Sequence, residues 1–472
     1  MNATFFLSIF ALYIAFLIAV GWFVSRRQSS GDDFLLAGRS LPLLLTVGTT
    51  VATMVGTGSS MGAVGFGYEN GWAGALYGIG GAVGILLLGV LFAPARAQRF
   101  STMSEELAHY VGDHPLVKKV VALLIFVACL GWLGAHILGG SLYLSWVAGI
   151  DLQLSKLIVA AGFAIFVIIG GYHAVVWTDT LQALVLFVGF LLMAFFALDQ
   201  VGGWQGMLAA QAETGSAAPL AIGLVPGVSL ALVIAVGVLA TPSFRQRIYS
   251  ARSVASVRRS FYLSGILYFG FSLVPAVIGM CAFALNGELE NRNHAFPFLA
   301  LQVLPVGIGV AVLLAGLSAT MSSASSDAIA GVSVLVRDFS TRQSQTTPAD
   351  GIRRSRWGLV VVIGAALGLA LLSDDLIGYI GKMISTIMSG LFVCGLLGRF
   401  WPGYSWRGAL ASLVAGSLTS ILVMATVNSF WGNPIIPAVL AALLAGVVVS
   451  WAYRPAASVD KTDMESVDQR AT

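Results

Sequence analysis

Val51-Ala52-Thr53-Met54-Val55-Gly56-Thr57-Gly58-Ser59-Ser60-Met61-Gly62-Ala63-Val64-Gly65-Phe66-Gly67 is the stretch that decides the architecture. It lies in an apolar run, 41–68. A helix needs about 20 such residues to cross ~30 Å of hydrocarbon, so the run is long enough to span. Five of the twelve residues from Gly56 to Gly67 are glycine. Each weakens a helix by up to about 1 kcal/mol relative to alanine. Within lipid, an unwound stretch survives only where protein or a water-filled cavity satisfies its backbone. The same glycines would equally serve an unbroken helix packed through a small-residue face. The two readings separate on whether another span carries a matching interruption.

Working outward, the chain is 58% hydrophobic and 10% charged, with a mean hydropathy of +0.90. Soluble domains carry about 25% charged residues, so a polytopic helical membrane protein is expected. Disorder and nucleic-acid binding are not. Apolar runs of spanning length fall near 4–24, 41–68, 73–95, 120–147, 153–172, 176–198, 220–241, 260–285, 303–336, 357–373, 376–398, 407–428 and 433–452, thirteen in all, with tight junctions near 172–176 and 373–376. The first run lacks a basic segment before it and is followed by Arg26 and Arg27, so it reads as a membrane helix and not a signal peptide. Those arginines set the N-terminus outside and, after thirteen spans, the C-terminus inside. All but Lys156, Arg292 and Lys382 of the 25 basic residues then fall in cytoplasmic segments, as the positive-inside rule requires. Cys129, Cys281 and Cys394 lie in apolar runs with no CxxC spacing and read as small buried hydrophobes.

The matching interruption is in the seventh run, which ends Val236-Gly237-Val238-Leu239-Ala240-Thr241-Pro242. In the expected topology the second and seventh runs cross in opposite directions, and each opens a set of five. Interrupted helices at corresponding positions of two inverted halves point to a secondary-transporter site at the midplane. The expected organisation is a leading helix and first cytoplasmic loop (1–40), a first inverted repeat (41–198), an outer loop (199–219), a second repeat (220–398), two accessory helices (399–453) and a disordered tail (454–472). The glycines of the third run (Gly74, Gly78, Gly80, Gly81, Gly84) follow no strand and fit no nucleotide-binding fingerprint, so they read as contact faces.

Polar residues at membrane depth are costly and mark candidate sites. Asp179 opens the sixth run, where a carboxylate would also complement the helix dipole. The ninth run holds Ser318-Ala319-Thr320-Met321-Ser322-Ser323-Ala324-Ser325-Ser326-Asp327. Ser322, Ser325 and Ser326 share one helical face, with Ser323 beside it. Hydroxyls suit a hard, partly dehydrated cation, and the carbonyls of a broken helix supply the same ligand type. Serines also bond back to their own helix. Asp327 lies one turn nearer the cytoplasm, where water access would tolerate a charge. Trp132 and His136 sit one turn apart in the fourth run, His136 being either a hydrogen-bonded packing residue or a proton relay. Glu69 is expected at the interface.

With these residues in view the chain resembles the sodium:solute symporter family, whose members share the leucine-transporter-like inverted-repeat fold. The likeness rests on the extra leading helix, Gly170-Gly171 with Trp177-Thr178-Asp179 and Gln182, Gln246-Arg247 after the seventh run, and Met321-Ser322-Ser323. It implies a main sodium site of backbone carbonyls from Val51 and Met54, the carbonyl of Ala319, and the hydroxyls of Ser322 and Ser323. It implies a second sodium site at Asp179, Ser322, Ser325 and Ser326. Solute would bind along Thr53, Gly56, Thr57, Gly58 and Ser59, with Tyr77, Trp132 and His136 as walls. The resemblance points to neither choline nor proline, because Met54 stands where choline carriers have an aromatic and Thr53 where proline permeases have an aspartate. His136 stands where sialic-acid carriers have an arginine nearby.

The expected function is sodium-coupled uptake of a small polar organic solute by alternating access, in the cytoplasmic (inner) membrane. Sodium is the coupling ion and no other cofactor is expected. The partners are solute, sodium and membrane lipid. Proton coupling through Asp179, Asp327 or His136 is the main rival, and a channel or sensor of the same fold is a third reading. No HExxH pattern occurs, and no enzyme is expected.

Overall fold

The computed structural model describes residues 3–26, 28–212, 218, 221–339, 347–372, 383–426 and 428–453, and every regular element among them is helical. The tail from 454 and the junction near 373–376 lie outside the described residues. The principal helices are α1 (Ala3–Ser25), α2 (Leu43–Met54), α3 (Val64–Asn70), α4 (Ala75–Phe92), α5 (Pro115–Ala148), α6 (Leu152–Gln200), α7 (Leu224–Ala240), α8 (Pro242–Ser250), α9 (Val254–Phe271), α10 (Leu273–Leu285), α11 (Val306–Arg337), α12 (Pro348–Leu371), α13 (Ser389–Phe400), α14 (Trp406–Thr426) and α15 (Ile435–Ala452).

Among the described residues nine helices are long and apolar enough to cross a membrane, or ten if α7 and α8 are one bent span. This differs from thirteen runs because the second and seventh are interrupted, the fifth and sixth run together, and the eleventh lies partly outside the described residues. The 49 residues of α6 cover both the fifth and the sixth run. At ~1.5 Å per residue a straight helix of that length would be more than twice the hydrocarbon thickness. Gly171, at φ 53° and ψ −154°, divides it where the two runs meet. A Cβ there would lie 2.7 Å from the Phe34 carbonyl, so glycine is required twice over.

Both expected interruptions are present. α2 stops at Met54, Val55 takes ψ 55°, and the chain resumes through a π-helical turn, Gly58–Ala63, into α3. α7 stops at Thr241 (φ −76°, ψ 126°), and Pro242, which has no N–H to donate, opens α8 at a 45° bend. The glycines of α4 are contact faces: a Cβ on Gly80 would meet the Ala231 carbonyl at 2.1 Å, and one on Gly84 would meet Val238 at 2.8 Å. α11, the most deeply buried of the spanning helices, packs against α5 and α6. The three cysteines are free and buried.

Candidate functional site

A helix end leaves its last carbonyls without backbone partners, and at the end of α2 those carbonyls meet serines. Ser322 Oγ donates to the Ala52 carbonyl (3.1 Å) and Ser323 Oγ to the Thr53 carbonyl (3.0 Å). Ser59 Oγ, from beyond the break, donates to the Met54 carbonyl (3.0 Å). The Val51 carbonyl takes the Val55 N–H at 2.9 Å. The Ala319 carbonyl accepts Ser322 Oγ as well, at 3.2 Å. The carbonyls facing Ser322 and Ser323 are thus Ala52 and Thr53, which lie between the two expected from the resemblance. Gly56 makes this approach possible, because a Cβ there would come within 2.3 Å of Ser323 Oγ.

A second polar cluster lies on the same face of α11. Asp179 is fully buried inside α6, eight residues past Gly171, so a helix-start role is excluded. Its Oδ2 accepts from Thr49 Oγ1 (2.7 Å) and Ser326 Oγ (3.1 Å). Ser325 Oγ is turned to the Ser322 carbonyl at 2.9 Å. The cation beside Asp179 is Arg247 of α8, whose Nη2 is 3.6 Å from Oδ2. Sequence reasoning counted Arg245 and Arg247 among cytoplasmic loop charges, but both are fully buried because each meets an acid. Arg245 Nη1 is 2.6 Å from Glu106 Oε1. Glu106 also accepts from Tyr110 (2.8 Å) and Tyr249. Gln246-Arg247 and Asp179 each stand out in the sequence; that Arg247 meets Asp179, 68 residues earlier, does not.

Between the two broken helices lies a cavity of about 50 Å³. Thr53, Met54, Gly56, Gly58, Tyr77, Trp132 and His136 line one side, and Gly237, Val238, Thr241, Ser243 and Phe244 of α7 and α8 line the other. Thr57 and Ser59 turn from it: Thr57 Oγ1 bonds His136 Nδ1 at 2.8 Å, and Ser59 Oγ bonds the Tyr268 hydroxyl at 2.7 Å. A Cβ on Gly58 would collide with the Tyr77 hydroxyl at 1.9 Å. Asp327 lines the cavity too, 3.3 Å from His136 Nε2. It is only 3% exposed, against the expectation of water access, because the imidazole supplies its polar partner. The Trp132 ring stacks on His136 at 16° with centroids 6.0 Å apart. Glu69 is exposed and pairs with Arg292, as an interfacial residue would. Among the described residues no three His, Cys, Asp or Glu side chains cluster as a metal site. The oxygens gathered at the two clusters are hydroxyls and carbonyls with one carboxylate, Asp179.

A profile of the "Sodium:solute symporter family" matches residues 34–416. The sodium/glucose cotransporter of Vibrio parahaemolyticus is 26% identical over 453 residues, covering 86% of this chain and 82% of that one. The sodium/pantothenate symporter of Escherichia coli (strain K12) is 25% identical over 460 residues, covering 92% and 94%. In three dimensions the chain resembles a Na+-coupled sialic acid symporter with a TM-score of 0.85 at 19% identity, over 96% of this chain and 98% of that one. At that identity the likeness is one of fold.

Proposed function

Since the chain belongs to the sodium:solute symporter family, and is a multi-pass membrane transporter and not an enzyme, we propose that it couples sodium entry to uptake of a small polar organic solute. It works by alternating access in the cytoplasmic membrane, with thirteen spans, the N-terminus outside and the C-terminus inside. The observation that carries this reading is the row of carbonyls released at the end of α2 against the hydroxyls of Ser322 and Ser323. Sodium replaces the hydroxyl protons as the partner of those carbonyls and ties α2 to α11. The main site joins Ala319, Ser322 and Ser323 to the carbonyls at the end of α2, where Val51 and Met54 are the pair the family resemblance implies and Ala52 and Thr53 between them are the pair turned to the serines. The second is Asp179, Ser322, Ser325 and Ser326.

Solute binds between the broken helices, against Thr53, Gly56, Gly58, Tyr77, Trp132 and His136, while Thr57 and Ser59 stand behind this wall and hold His136 and Tyr268. Organic ligands occupy pockets of roughly 300 Å³ or more, so the two broken helices part to admit one. The named relatives carry glucose and pantothenate. These are chemically unlike, so the proposal stops at the class of solute. Sodium drives net transport only if the empty and fully loaded carriers cross readily while the sodium-only form does not.

Ser322→Ala and Ser323→Ala are each expected to raise the half-saturating sodium concentration at least about tenfold, or roughly 1.4 kcal/mol. Sodium-induced thermal stabilisation of the purified protein measures this, and a curve matching the parent would refute the main site. The same assay run across a metabolite panel, with and without sodium, identifies the solute by mass action. Proton coupling is the second reading, favoured by the buried His136–Asp327 pair. Uptake driven by a pH gradient in sodium-free medium would decide for it.

A further inference from the structure

We propose that the Arg247 guanidinium is a tethered cation that fills the Asp179 cradle when sodium is absent and yields it when sodium arrives. The inference rests on the second sodium site proposed above and adds a competitor to it. Arg247 is fully buried. Its Nη2 donates to the Thr49 carbonyl (3.1 Å), Thr49 Oγ1 (2.8 Å), Ser326 Oγ (2.8 Å) and Thr53 Oγ1, with Asp179 Oδ2 at 3.6 Å. An η-nitrogen carries two hydrogens, yet five oxygens from α2, α6 and α11 surround this one. That is a coordination shell suited to a small sphere of charge more than to a directional donor. Elsewhere the same side chain is poorly served: Nε has no hydrogen-bond partner, and neither does Asp179 Oδ1.

Guanidinium stays protonated, so Arg247 and Asp179 together are neutral. A sodium ion bound at Asp179 and Ser326, which Arg247 and the second site share, would sit beside that fixed charge in a medium of low dielectric, where two cations repel strongly. Occupancy is therefore exclusive. The displaced group has somewhere to go. Ser243, whose carbonyl accepts from Arg247 Nη1, and Phe244, whose ring lies 5.6 Å from the guanidinium, both line the cavity alongside Asp327. The exchange moves one positive charge out of the cradle as another enters. The sodium-free carrier is thus never left with a bare buried carboxylate on its return.

The test uses the full chain in detergent and 22Na+ alone, read by a scintillation-proximity binding assay. Arg247→Gln removes the competitor, and the half-saturating sodium concentration of the weaker component is expected to fall about fivefold or more, the lower end of usual site-to-site coupling. Asp179→Asn in the same background is expected to erase that gain. Thr53→Val is the variant that keeps folding out of the question. It removes one of the arginine's acceptors and no proposed sodium ligand, so sodium binding should tighten here too. Unchanged or weakened sodium binding in Thr53→Val, or in Arg247→Gln if it folds, overturns the exchange. If those two leave sodium unaffected while Asp179→Asn weakens it, the second site stands without a tethered competitor. If neither Asp179→Asn nor Ser325→Ala alters sodium binding, the second site falls and takes the exchange with it.

Discussion

Gly56 is the residue on which the geometry of the proposed sodium site depends most directly, because its missing Cβ is the space that Ser323 Oγ occupies. Gly56→Ala is expected to push Ser323 off the Thr53 carbonyl at an overpacking cost of about 1–3 kcal/mol. It should abolish most sodium-induced stabilisation. Melting temperatures with and without sodium separate the two effects, and a sodium response equal to the parent's would contradict the geometry. Asp179→Asn is expected to lower the Hill coefficient for sodium without abolishing binding, measured on full titrations. At this scale the sequence offers residue types, and the structure gathers them. Sequence reasoning selected Ser322, Ser323 and Asp179 because hydroxyls and carboxylates at membrane depth are costly without a role. It placed Asp327 in water and Arg247 in a loop because neither His136 nor Asp179 is near in sequence to the group it meets.

Among elements, the two broken helices and the kink in α6 carry the architecture, and each break has a local cause. Gly171 combines a positive φ with a 2.7 Å approach to the Phe34 carbonyl. Gly171→Ala is expected to destabilise by about 1–3 kcal/mol through backbone strain alone. The short helix Met103–His109 is held to α8 by Glu106, which accepts from Arg245, Tyr110 and Tyr249. Glu106→Gln leaves the Arg245 charge buried without its counter-ion, a change that costs about 3–5 kcal/mol in comparable pairs. Denaturation in detergent should show the loss, while sodium half-saturation stays near the parent value because the clasp is separate from the sodium-facing oxygens. The glycines and Pro242 made the interruptions legible in advance. The clasp was not, since Glu106 and Arg245 each look like an ordinary charged residue of a connecting segment.

For the whole molecule, the quantity that matters is the work one ion supplies. A sodium ion moving through ~100 mV yields about 2.3 kcal/mol. A tenfold concentration gradient adds roughly 1.4 kcal/mol. Together these sustain accumulation of a neutral solute by a factor of order 500, and a second ion squares it. The number of occupied sites therefore sets the physiological reach of the carrier. Reconstituted vesicles with imposed gradients report it once a solute is in hand: steady-state accumulation in Asp179→Asn is expected to fall toward the single-ion limit.

The sequence by itself determined that this chain lives in a membrane as helices, where two of those helices break, and that the ninth run carries an oxygen-rich face. These are local properties: hydrophobicity, glycine and proline content, and helical spacing act on neighbours along the chain. Only the tertiary structure decided which carbonyls of α2 face which serines, that His136 answers Asp327, and that Arg247 lies within the reach of Asp179. Each of those pairings joins residues far apart in sequence, and in a low-dielectric interior a buried charge takes its meaning from whatever opposite charge or dipole the fold sets beside it.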